Sequence, residues 1–331
     1  MAPLNLSAPP DMSDIRAAAA RLAPVVRRTP LLSSPFLDAV AGRRVWVKAE
    51  CLQHTGSFKF RGAWAAVSAL PPGTAGVIAM SSGNHAQGVA LAAARHGLAA
   101  VVVMPSDAPA VKIANTRALG AEVVTYDRFG ADRNALAAGL AADRGLALIP
   151  PFDHPQVIAG QASVGLEIAE QAAGAAIARA DVVACCGGGG LSAGIALALA
   201  DRAPGLRLRT AEPAGFDDTA RSLAAGRPVA NTPGAGSPCE AILTPAPGRI
   251  TFPVLARLAG PGLSVTDDEA MAAMALAFAR LRIVLEPGGA VALAAALFRP
   301  DAFAGEDVIV VASGGNVDPG VFARALAAHP G

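Results

Sequence analysis

Five short segments carry residue types that could do chemistry. The first is Thr55-Gly56-Ser57-Phe58-Lys59-Phe60-Arg61-Gly62, at an expected loop-to-helix junction. A partly desolvated lysine gives up its proton and can form a Schiff base with an aldehyde. A lone lysine is more often a solvated surface group, but a cation at a helix N-terminus opposes the helix dipole. The second segment is Ser81-Ser82-Gly83-Asn84-His85, directly after an apolar strand. Small hydroxyls and free backbone N–H groups there suit a carboxylate or phosphate. An ordinary N-cap would need only one of these residues.

The third segment is the run Gly187, Gly188, Gly189 and Gly190. Without Cβ atoms, backbone N–H groups can close on a phosphate. The run lacks the lysine of a Walker loop and the GxGxxG spacing of a dinucleotide fold. In the fourth, Glu212, Asp217 and Asp218 follow a strand. Two carboxylates and an intervening carbonyl could hold a hard cation, and the same acids equally suit a helix N-terminus. The fifth is Ser313-Gly314-Gly315-Asn316, where the serine could hydrogen-bond a ring nitrogen or merely shape a turn.

These segments need a scaffold that brings strand ends together. Apolar runs at 45–49, 76–80, 99–104, 122–126, 146–149, 181–185, 207–211 and 307–312 read as strands. Helical stretches alternate with them, one capped by Ser13, others over 84–96, 109–120, 156–173 and from 191, and one capped by Asp267. Residues 224–261, rich in Pro and Gly, read as a long irregular loop. Strands alternating with helices imply parallel sheets joined by right-handed crossovers. Ligands in such sheets sit at the C-terminal strand ends, where several of the segments fall.

Bulk properties exclude several classes. The 331 residues suffice for about two lobes. A net charge of +1 and one tyrosine give no basis for nucleic-acid or anionic-membrane binding. Residues 182–200 are uncharged and long enough to span a bilayer, but four consecutive glycines make one continuous helix costly. The N-terminus shows no secretion signal. Cys51, Cys185, Cys186 and Cys239 form neither a metal-ligand pattern nor a disulfide framework, so a reducing cytoplasm is expected.

Taken together and in order, TGSFKFRGA, SSGNHAQG, GGGG and SGGN resemble the serine/threonine dehydratase and serine racemase family of fold-type II pyridoxal-5′-phosphate (PLP) enzymes. The resemblance runs from Arg28-Thr29-Pro30-Leu31 to Asn316. It implies an α/β fold of two open, twisted parallel-sheet lobes flanked by helices. The large lobe would comprise 1–75 and 151–331, and the small one 76–150. It implies Lys59 as the Schiff-base lysine, Phe58 packed on the cofactor ring, and Asn84 at the ring hydroxyl. Gly187, Gly188, Gly189 and Gly190 would hold the phosphate and Ser313 the ring nitrogen. A neutral serine there makes the cofactor a weaker electron sink, which suits elimination. Ser81, Ser82, Gly83, Asn84 and His85 would hold the substrate carboxylate, with Ser82 as second-face acid/base. Glu212, the Phe216 carbonyl and Asp218 would bind Mg²⁺ or Ca²⁺.

The activity so implied is dehydration of a small 3-hydroxyamino acid to a 2-oxo acid and ammonia, by a homodimer. Lys59 would take the Cα proton before the β-hydroxyl leaves. A serine or other amino-acid racemase is the main rival; a cysteine-synthase-like enzyme or a phosphate-binding protein without this chemistry fits less well. Because the sequence stops soon after Asn316, the regulatory domain of the biosynthetic threonine enzymes is expected to be absent. Where relatives show Ala-Asp-Gly, this sequence reads Ser237-Pro238-Cys239-Glu240-Ala241-Ile242-Leu243. Serine, threonine, 3-hydroxyaspartate and phenylserine all remain candidate substrates.

Overall fold

The computed structural model describes residues 7–127, 130, 132–232 and 236–330. Its strands are β1 (Leu31–Ser33), β2 (Arg44–Lys48), β3 (Gly76–Met80), β4 (Ala99–Pro105) and β5 (Glu122–Tyr126). They continue with β6 (Leu146–Leu148), β7 (Ala180–Cys185), β8 (Leu206–Pro213), β9 (Leu263–Val265) and β10 (Asp307–Val311). One sheet has the order β1-β2-β10-β7-β8-β9, and a second has the order β5-β4-β3-β6. Every pairing is parallel except β1 on β2, an antiparallel edge strand too short to be read from its residues alone.

The larger sheet is covered on both faces. All of β10 is buried, and the helix Pro287–Phe298 encloses every residue from Pro287 to Leu297. Continuous apolar strands of this kind are what two-sided coverage demands. The smaller sheet is leaner. Its helices Ala110–Ala118 and Arg133–Arg144 fully enclose only Thr116 and Ala137, respectively.

The apolar stretch after Asp181 is broken as its glycines require: β7 ends at Cys185 and a helix restarts at Gly190. Gly189 has φ of +89°, a left-handed turn that a side chain would strain. Among the described residues no helix is long and apolar enough to cross a membrane.

Three local expectations need correction. The first helix spans Met12–Leu22 and is capped by Asp11, not Ser13, because Asp11 and Asp14 exchange side-chain-to-backbone hydrogen bonds in a capping box. The helix Asp267–Leu281 is capped by Thr266 rather than Asp267, again through a capping box, with Glu269. The 224–261 stretch is not irregular throughout. It contains a short 3-10 turn at Glu240–Ile242 and a helix at Thr251–Leu258. Phe252, Val254 and Leu255 are buried on that helix, so its apolar face outweighs the surrounding Pro and Gly.

Candidate active site

The chain contains three lysines, Lys48, Lys59 and Lys112. Their environments separate them sharply. Lys48 is fully buried and donates to Glu167 Oε2 at 2.5 Å, to the Thr29 carbonyl and to Gln171. Lys112 pairs with Glu240 at 3.2 Å. Lys59 has no carboxylate partner among the described residues; its Nζ donates to the Pro151 carbonyl at 2.8 Å and lies 5.1 Å from the centre of the Phe58 ring. Enclosure pulls its pKa down to about 8, because desolvation penalises the ammonium. Of the three it is the amine best placed to become a neutral nucleophile.

Lys59 opens the helix Lys59–Val67, and a buried ionic lattice fixes that helix start. Two residues on, the fully buried Arg61 is bidentate to Glu50, with both bonds at 2.8 Å. It also bridges Glu167 at 2.7 and 3.0 Å. Thr29 Oγ1 donates to Glu50 Oε1 at 2.5 Å. Two cations and two carboxylates balance, and planar guanidinium forks hold them rigidly.

Pro151 is followed by Phe152, whose ring forms a wall of the glycine turn. A Cβ on Gly188 would stand 2.3 Å from that ring. The Gly188 carbonyl accepts from Thr251 Oγ1 at 2.6 Å and from Gly248 N at 3.2 Å. The N–H groups of Gly187, Gly188 and Gly189 donate to no described protein group, and they stand at the start of the helix Gly190–Arg202. Three unspent donors at a helix N-terminus fit a phosphate.

A second helix start faces Lys59. Asn84 begins the helix Asn84–Arg95 after β3. The N–H groups of Ser82, Asn84 and His85 are also unspent, while Gly83 N donates to Ser81 Oγ at 3.2 Å. The Ser82 hydroxyl has no described protein partner. His85 is buried, and its Nε2 lies 2.8 Å from the Ile149 carbonyl. Desolvation, with Lys59 nearby, pushes its pKa down to about 3. A neutral imidazole adds no positive charge for a carboxylate, so the anion-binding capacity here resides in the backbone N–H groups and serine hydroxyls.

Asn84 is buried with its amide spent on both sides. Its Nδ2 donates to Glu286 Oε1 at 2.6 Å, and its Oδ1 accepts from Asn316 Nδ2 at 2.7 Å. Glu286 escaped the sequence reading, since an acid before Pro-Gly-Gly looks like a helix N-terminus, which it also is. Burial raises its pKa to about 7. Ser313 follows β10, and its carbonyl accepts from Phe58 N at 3.1 Å, while an isolated bridge joins Ser57 and Gly314. The first and last of the five segments thus meet directly.

Glu212 and Asp218 lie at the end of β8. The Glu212 oxygens accept from Thr219 N at 3.0 Å and Ala220 N at 2.8 Å, so this acid serves the helix Asp218–Ala225. Asp218 Oδ1 accepts from Asn231 Nδ2 at 2.6 Å, and its buried Oδ2 has no partner. Phe216 stands in the connecting turn, its N–H on the Pro213 carbonyl. Among the described residues no group of three or more His, Cys, Asp or Glu is arranged to hold a metal ion. A cation here would need the backbone carbonyl and water to complete its shell.

The family model for pyridoxal-phosphate dependent enzymes matches residues 22–314. The chain therefore belongs to that family, and its sheets and glycine turn follow the fold-type II plan. It is 41% identical over 316 residues to an L-threo-3-hydroxyaspartate ammonia-lyase of Pseudomonas sp., covering 95% of this chain and 97% of that protein. It is 38% identical to a serine racemase of Oryza sativa subsp. indica, covering 96% and 94% of the two chains. Among solved structures, a threonine deaminase of T.th. superposes with a TM-score of 0.88 at 43% identity, covering 93% of this chain and 99% of that one.

Proposed function

We propose that the protein is a PLP-dependent ammonia-lyase that dehydrates a small L-3-hydroxyamino acid to a 2-oxo acid and ammonia. The observation that carries this reading is Lys59: an enclosed lysine without a carboxylate partner, between two helix N-termini that present unspent N–H groups. The family match and the relatives' shared ammonia-lyase and deaminase activities support it.

PLP, when bound, supplies an electron sink for charge developing at Cα. Lys59 would carry the cofactor and, as a neutral amine, would take the Cα proton; its lowered pKa suits that proton transfer near neutral pH. The N–H groups of Gly187, Gly188, Gly189 and Gly190 would hold the phosphate. Phe58 and Asn84 would serve the ring, and Ser313 its nitrogen. Ser81, Ser82, Gly83 and Asn84 hold the substrate carboxylate, with His85 orienting their helix start. Glu286, through Asn84, keeps a proton-exchanging group beside the site.

Glu212, the Phe216 carbonyl and Asp218 bind Mg²⁺ or Ca²⁺, a reading supported by the unpartnered, buried Asp218 Oδ2. Residues 76–150 form the smaller lobe, since β3 to β6 all fall within them, and 1–75 with 151–331 form the larger. The unit is a homodimer, for which exposed Phe36 and Val40 on one helix and nearby Phe278 offer an apolar face. Four free buried cysteines suit a reducing, cytoplasmic setting.

Racemisation is the second reading, favoured by the Ser82 hydroxyl, which is free to hold a proton. Incubation with L-serine, L-threonine and L-threo-3-hydroxyaspartate separates the two. The ammonia-lyase releases 2-oxo acid and ammonia in equal amounts, and Lys59→Ala abolishes it. Recovery of the D-amino acid without oxo acid would establish the racemase instead.

A further inference from the structure

At the end of β7, Cys185 is fully enclosed and its Sγ donates to Ser313 Oγ at 3.1 Å. Burial raises the thiol's pKa to about 11, so it remains an S–H donor throughout the working pH range. Ser313 is itself buried and cannot drift, because its carbonyl is held by Phe58 N at 3.1 Å. A hydroxyl has one proton to give and two lone pairs. Here one lone pair takes the thiol proton, and the hydroxyl proton has no acceptor among the described residues.

That arrangement has a preferred partner. An unprotonated heterocyclic nitrogen accepts the hydroxyl proton and completes the set. A protonated nitrogen would instead donate to Ser313, leaving the buried O–H only the weakly accepting Cys185 sulfur, at an energetic cost. We propose that Cys185 is a positioning residue that orients the Ser313 hydroxyl as a donor and so keeps the cofactor's ring nitrogen unprotonated. The inference rests on the PLP reading above and on Ser313 meeting that nitrogen.

The test loads apoprotein with PLP labelled with ¹⁵N in the ring, in wild type, Cys185→Ala, Cys185→Ser and Ser313→Ala, reading ring ¹⁵N shift and PLP affinity. Ser313→Ala moves the resonance away from the wild-type position. Cys185→Ala is expected to move it in the same direction and to weaken PLP binding by roughly threefold to tenfold, the scale of one hydrogen bond. Cys185→Ser, which keeps a donor, restores the resonance and holds affinity within about twofold. A Cys185→Ala resonance at the wild-type position, with Ser313→Ala displaced, would overturn the role of Cys185 alone. An unmoved Ser313→Ala resonance would overturn it through the serine assignment. Failure of every variant and the wild type to bind PLP would instead refute the cofactor reading.

Discussion

Two pairs of acids, all buried but the partly buried Glu167, occupy the larger sheet's surroundings and are treated in opposite ways. Glu50 and Glu167 lie beneath the start of the Lys59 helix, laced to Arg61 and Lys48. Glu212, near the end of β8, and Asp218, at the start of the following helix, receive backbone, hydroxyl and amide donors and no direct ion pair among the described residues, with Arg221 nearby and one Asp218 oxygen unpartnered. The first pair is closed: its charges cancel within the fold, giving Lys59 a floor that does not depend on any ligand. The second is open, since buried acids held without a direct ion pair favour a cation that can reach them. On the proposed function, rigidity is built beneath the cofactor's carrier, and ligand dependence is placed at the strand end.

The largest expected effect breaks the closed pair. Arg61→Met leaves buried Glu50 and partly buried Glu167 with Lys48 alone, and should lower unfolding free energy by about 3–5 kcal/mol in urea titrations. A loss below about 1 kcal/mol would show that the lattice is not the floor of the site.

The open pair is probed by chelation. Metal-stripped protein should melt lower, and Mg²⁺ or Ca²⁺ at a hundredfold excess over Kd should restore about 2.7 kcal/mol. Glu212→Gln should abolish that response while leaving the unliganded fold intact. Unchanged melting with both cations would show that this strand end holds neither.

A fifth acid sits between these extremes. Glu286 is buried with a neutral amide donor, and its pKa rises to about 7 in the fold from an ordinary 4.5. The folded state therefore binds the proton more tightly, and this stability is full below pH about 4.5 and lost as pH rises through about 7. Glu286→Gln keeps an acceptor for Asn84 without that loss. It should be the more stable protein above pH 7, by on the order of 2 kcal/mol. Parallel pH–stability curves for the two proteins would contradict this.

The smallest effect belongs to the exposed Lys112–Glu240 pair, where Glu240 is 75% exposed. Glu240→Gln should change stability by less than about 1 kcal/mol, since water and salt screen such pairs.

How much of this was legible in sequence depends on where the determining contacts lie. The main strands and the glycine turn were readable because continuous apolar runs and consecutive glycines are local signals. Lys59 was readable through its neighbours. The Thr251–Leu258 helix was not, because its stabilising apolar contacts are distant in sequence and its surroundings are rich in Pro and Gly. Glu286 and Cys185 were missed for the same reason: each acquires meaning only when Asn84, 202 positions away, or Ser313, 128 positions away, comes within hydrogen-bond reach. Asp11 displaced Ser13 as the cap by one reciprocal pair with Asp14, a choice between nearby polar residues that spacing alone leaves undecided.

The most direct test of the central claim uses the three lysines as an internal control. Protein loaded with PLP is reduced with borohydride, digested, and its peptides mapped by mass. A pyridoxyl adduct is expected on the peptide containing Lys59, with Lys48 held in its ion pair and Lys112 at the surface unmodified. An adduct confined to Lys48 or Lys112, or none after PLP is supplied, would contradict the assignment of Lys59 as the cofactor's carrier.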